Sequence, residues 1–135
     1  MKLSLDCLRA VMFYLEENLS ISPDLEIKKI SVYAIAKSLD YSLPEIANTL
    51  LILDEANFIV AVQDSGSNRI VELDVFRITY AGYQFLETIR SDSVWKKTQS
   101  ICKSIGSFSI DVIVQVASGV ITSMISSCLT GRLNP

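Results

Sequence analysis

From Ser104 to Gly131 the sequence carries a single charged residue, Asp111. Nothing else limits the fold so strongly, because a segment of this kind has few places to go. A helix over 107–129 would be roughly 34 Å long at 1.5 Å per residue, enough to cross a hydrocarbon core of about 30 Å. Its polar residues Asp111, Gln115, Ser118, Thr122 and Ser126 fall on one narrow stripe. Ile110, Ile113, Val114, Ala117, Val120, Ile121, Met124, Ile125 and Cys128 occupy much of the remaining circumference. At about 25 cal/mol per Å² of apolar area, leaving such a helix in water forfeits many kcal/mol. Three burials meet the demand: packing on the rest of the chain, self-association with another protomer, or insertion into a membrane. Asp111 and Gln115 are expensive in lipid, while Gly119, Ser123 and Ser127 form a second row that allows close helix approach in protein or lipid. The preceding lysines and Arg132 suit either membrane orientation. The nine apolar residues are therefore the candidate oligomer or partner interface, with a second copy or another protein as the expected occupant.

Upstream, the patterning is that of an ordinary soluble domain. Leu5, Leu8, Val11, Met12, Leu15 and Leu19 recur at helical spacing behind Ser4, a suitable N-cap. A short extended piece is expected around Leu25–Ile27, then a second helix with Val32, Ile35, Ala36 and Leu39 inside. "SLPEIANTLLILDEANFI" carries the clearest local signal: Ser42 and Glu45 form a capping box and Pro44 sits in the first turn. Ile46, Leu50 and Leu53 make the buried stripe of this third helix, and Asn57 stands where a left-handed C-cap residue is wanted. "FIVAV" and "RIVELDVFR" alternate as strands around the turn-forming "QDSGSN", which predicts a hairpin with a five- or six-residue loop. Thr79 caps a fourth helix bearing Tyr83, Phe85, Leu86 and Ile89. Gly82 inside that helix costs about 1 kcal/mol against Ala, which points to close packing.

This order predicts a mainly α (α+β) fold: a winged helix-turn-helix domain with a two-stranded wing over 1–91, and a C-terminal helical extension over 92–135. In the extension, "SDSVWKKTQSICKSIG" reads as a short amphipathic helix. Val94, Trp95, Ile101 and Ile105 are its apolar residues and Lys96, Lys97 and Lys103 its basic ones. Trp95 suits a core position or an interfacial anchor. The apolar helix follows.

Glu55-Ala56-Asn57-Phe58-Ile59 resembles the Glu-Ala-Gly-Phe-Ile pattern that ends the third helix of many small bacterial regulators, departing at the glycine. The segments "MKLSLDCLRAVMFYLEEN", "ITYAGYQFLETIRSDSVWKKT" and "GSFS" resemble a family of small bacterial and phage proteins, the domain of unknown function numbered 2513. Asp92 to Lys97 is the most specific stretch. The resemblance implies a winged-helix architecture and a prokaryotic or phage setting, with phage–host conflict as one context, and brings no activity, cofactor or site.

The chemistry-bearing residues point away from catalysis. There is no His in 135 residues, which removes the commonest general base and metal ligand. No phosphate loop, H-E-x-x-H or G-x-S-x-G occurs. Cys7, Cys102 and Cys128 are widely spaced and odd in number, so reduced thiols in a cytoplasmic protein are expected, with membrane association as the alternative. The amino terminus has acids and Arg9 inside its apolar pattern and reads as a helix, not a signal peptide. The expectation is a non-enzyme with no cofactor, no metal and no small-molecule substrate.

For DNA the pattern is unfavourable. The face of the third helix opposite its buried stripe reads Glu45, Asn48, Thr49, Ile52 and Glu55, without a cation, and phosphate contacts require Lys and Arg. The candidate nucleic-acid contacts are Lys28, Lys29 and Lys37 before and on the second helix, Asn48 for a base edge, Thr49 for a phosphate, and Arg69 and Arg77 on the wing strands. With a net charge of −3, a winged helix turned to protein contact is the better inference. A DNA-binding regulator and a membrane-active effector with an inserted tail are the alternatives.

Overall fold

The computed structural model describes residues 1–131; Arg132 lies outside the described residues. Two compact units emerge, Met1–Gln84 and Phe85–Pro135. The division expected at 91/92 falls in the gap between the fourth and fifth helices, whereas the units part inside the fourth.

The first unit is a winged helix-turn-helix. Helix α1 (Leu5–Asn18) starts at Ser4, whose hydroxyl accepts from the Cys7 amide at 3.3 Å, and buries Leu5, Cys7, Leu8, Val11, Met12 and Leu15. Two-residue strands β1 (Ser20–Ile21) and β2 (Ile27–Lys28) then pair antiparallel. The extended piece expected around Leu25–Ile27 is thus a small hairpin, and Leu25 sits in its turn with φ 68°. Pro23 and Asp24, turn-forming residues, carried that signal.

Strand β3 (Ile30–Ser31) leads into α2 (Val32–Ser38), and α3 (Leu43–Glu55) follows. Ser42 accepts from the Glu45 amide at 3.3 Å with Pro44 in the first turn, and Asn57 adopts φ 64° just past the helix end. The hairpin of β4 (Ile59–Gly66) and β5 (Arg69–Ile78) is the wing. In the sheet order β3-β5-β4 the longest strand lies at the centre. Pairing runs out to Gly66↔Arg69, so the loop is Ser67–Asn68 alone, with Asn68 at φ 54°. The five- or six-residue loop expected from "QDSGSN" is therefore too long. Four of its six residues are strand, and register shifts at Val60/Ala61 and Asp64/Ser65 absorb the irregularity. Leu73 and Val75 face the core as expected, while Val71, near the tip, is exposed.

Helix α4 (Tyr80–Ile89) crosses the division between the units. Thr79 ties its start down twice: the hydroxyl donates to the Asn57 carbonyl at 2.6 Å and accepts from the Gly82 amide at 3.0 Å. Thr79→Ala removes both bonds and is expected to cost about 1.5 kcal/mol, read as a lowered urea midpoint with unchanged m. Phe85, Leu86 and Ile89 are buried, and Tyr83 is exposed.

The second unit is a helical extension. Helix α5 (Asp92–Ile105) is capped by Ser91 and closed by Gly106 in the left-handed conformation at φ 80°. Trp95 is buried, which makes it core and not a surface anchor. Helix α6 (Ile110–Leu129), capped by Ser109, packs on α5. Of its twenty residues only Ile113 and Ala117 are buried.

Candidate functional site

In a winged helix the surface offered to a partner is built from α3 and the wing. Among the candidate nucleic-acid contacts, Thr49 is a correction. It is 1% exposed, donates its hydroxyl to the Glu45 carbonyl at 2.9 Å, and lies 3.4 Å from the Cys7 sulfur. It sits three residues after Ile46 and so shares the buried stripe of α3; a phosphate cannot reach it. Asn48 is half-buried on the same helix.

The cations lie on several elements, and two of them are already paired. Lys28 pairs with Glu26 at 3.4 Å, and Lys29 pairs with Asp74 at 3.2 Å while lying 5.8 Å from the centre of the Phe76 ring. Lys37 is exposed in the last turn of α2. Arg69 and Arg77 are exposed on β5, eight residues apart and so about 27 Å along the strand. Between them the wing presents Asp64 and Glu72, paired across β4 and β5. At the junction of α3 and the wing, Leu51, Asp54, Glu55, Ala61, Gln63 and Leu73 line a cleft of about 230 Å³. Asp54 there accepts from the Ala61 amide at 3.0 Å. This surface is acidic and partly apolar, and its carboxylates repel a polyanion.

The thiols are inert where they are buried. Burial pushes the Cys7 thiol up, partly offset by its hydrogen bond with Thr49, and burial likewise raises Cys102. Cys128 is exposed. Since the thiolate is the reactive form, a brief treatment of folded protein with a maleimide should label Cys128 alone. Labelling in denaturant should reach all three, with mass spectrometry reading the count. Among the described residues no group of three or more His, Cys, Asp or Glu is placed to hold a metal ion.

The nine apolar residues of α6 divide by position. Ile113 and Ala117 are buried within the chain and cannot meet a partner directly, a correction to the set. Ile110, Val114, Val120 and Ile121 are half-buried, and Met124, Ile125 and Cys128 are exposed. Ile125 is 53% exposed and the neighbouring Leu129 82%. By length and composition α6 could also cross a membrane. On the side of α6 facing α5 there is a groove of about 410 Å³, which periodicity alone did not show.

Comparison with known proteins gives a family. The model of a family described as "Hypothetical protein (DUF2513)" matches residues 2–109. No curated protein sequence matches the chain. Among solved structures, a point mutant of S. aureus MepR is 19% identical with a TM-score of 0.47, covering 93% of this chain and 80% of that one. A double mutant of Lactococcus lactis ZitR in apo form is 18% identical with a TM-score of 0.44, covering 96% and 83%. TubR from Bacillus thuringiensis serovar israelensis pBtoxis, bound to 24 bp of tubC, is 17% identical with a TM-score of 0.42, covering 64% and 81%.

Proposed function

The chain belongs to the DUF2513 family of hypothetical proteins, and we propose that it is a non-enzymatic, cytoplasmic winged-helix module that binds protein, in the first place a second copy of itself. One observation carries the reading: α6 leaves eighteen of its twenty residues less than fully buried, most of its length apolar. Water is a poor solvent for that surface. The residues matched by the family end at Ser109 and α6 begins at Ile110. The acidic surface of α3 and the wing then remains for a further protein partner. Light scattering of the full chain over a range of concentrations tests the reading. The expected mass is at least twice 15.0 kDa; a monomer at every concentration overturns it.

A DNA-binding regulator is the second reading, favoured by the exposed Arg69 at the wing tip and the exposed Lys37 on α2. It requires salt-sensitive retardation of a duplex that weakens in Arg69→Ala and Lys37→Ala. The protein-binding reading expects no retardation at low salt. Recovery only with membranes would favour lipid insertion of α6 over both.

A further inference from the structure

We infer that the groove between α5 and α6 is filled by α6 of a second copy, the two helices running antiparallel and crossing near Gly119. The inference rests on the self-association reading and gives it a register. The groove is lined along α6 by two adjacent rows. One row is large and apolar, Val116, Val120 and Met124, and extends back to the half-buried Val112. The other is small or polar, Gln115, Gly119 and Ser123, and extends on to Ser127. Both rows have i+4 spacing, so the first is a ridge and the second a furrow of the kind that interdigitates between helices.

An antiparallel two-fold pair lays the ridge of each copy in the furrow of the other. Val112 then meets Ser127, Val116 meets Ser123, Val120 meets Gly119 and Met124 meets Gln115, and each contact occurs twice, as a two-fold interface requires. Gly119 is the centre of closest approach. A Cβ added there meets nothing within 4 Å in its own chain, so the bare backbone is not explained by packing inside the subunit. A parallel pair would instead set the two Asp111 carboxylates at one level in an apolar seam, an unfavourable like-charge contact.

Charge favours a second copy over lipid. Lys97 of α5 lines the same groove, and entry into lipid would have to take that ammonium along or strip α6 from α5, uncovering Ile113 and Ala117.

Cysteine placement in the full-length protein tests the register. In a Cys128→Ser background, co-expressed Val116→Cys and Ser123→Cys chains should form a disulfide-linked dimer on mild oxidation, and neither variant alone should. The unaltered chain should form no Cys128–Cys128 link, because antiparallel pairing holds those residues about 25 Å apart along the axis, beyond the roughly 7 Å that a disulfide spans. Gly119→Trp puts a large side chain in the furrow, where a Cβ has room, and should convert dimer to monomer by light scattering. A ready Cys128 link, or a dimer indifferent to Gly119→Trp and lacking the 116–123 link, overturns the register while self-association stands. A wild-type monomer, or wild type recovered only with membranes, overturns both.

Discussion

Gly82→Ala should destabilise the protein by about 3 kcal/mol, although alanine is the better helix former by about 1 kcal/mol. The two effects have opposite signs, and geometry decides between them. A Cβ built on Gly82 lies 2.0 Å from the Phe58 carbonyl oxygen, 2.7 Å from Cγ2 of Ile78 and 2.9 Å from the Phe58 carbonyl carbon. Two of these are backbone atoms, which cannot swing aside. The Phe58 carbonyl also accepts from the Thr79 amide at 3.0 Å, so moving it disturbs the entry to α4 as well. At Gly119, which is open within the subunit, the same substitution should follow propensity and stabilise the dilute monomer by up to about 1 kcal/mol. Paired denaturation curves, with Gly82→Ala falling and Gly119→Ala rising, check the argument. A Gly82→Ala midpoint equal to wild type would mean that α4 does not approach Phe58 this closely.

That glycine also shows how far the sequence speaks. A costly residue inside a helix pattern signals close packing, but not which carbonyl it approaches, since Phe58 is far along the chain. Local signals read well because their causes are local. Ser4 and Ser42 cap the helices they precede, Asn57 takes the left-handed position, and Trp95 is core. Thr49 reads as a surface residue only when polarity is weighed above spacing. Its hydroxyl satisfies itself on the Glu45 carbonyl one turn back, so it enters the core without an orphaned polar atom. The wing loop reads too long for a related reason: every residue of "QDSGSN" favours turns, and only cross-strand register selects Ser67–Asn68. The α5–α6 groove is out of reach, because a periodic apolar stripe does not reveal which part a neighbouring helix covers.

The division of α6 into covered and uncovered residues leads to the second large effect. Ile113→Ala removes a fully buried side chain and should cost about 3 kcal/mol, the usual range for such a cavity, at any protein concentration. Ile125 is 53% exposed, so Ile125→Asp should cost a dilute monomer little, about 0.5 kcal/mol or less. Association adds a term that grows with concentration, because a partner that binds only the folded chain raises its melting temperature by mass action. Wild-type Tm should therefore climb as protein is concentrated, and Ile113→Ala should climb in parallel from a lower start. If the pair shelters the outer face of α6 as well as the groove, Ile125→Asp should stay flat, since a carboxylate cannot be buried there unpaired. A Tm that rises equally in wild type and Ile125→Asp confines the contact to the groove around Gly119. A Tm independent of concentration in all three chains means that α6 meets no second chain, and its apolar surface must then find shelter elsewhere.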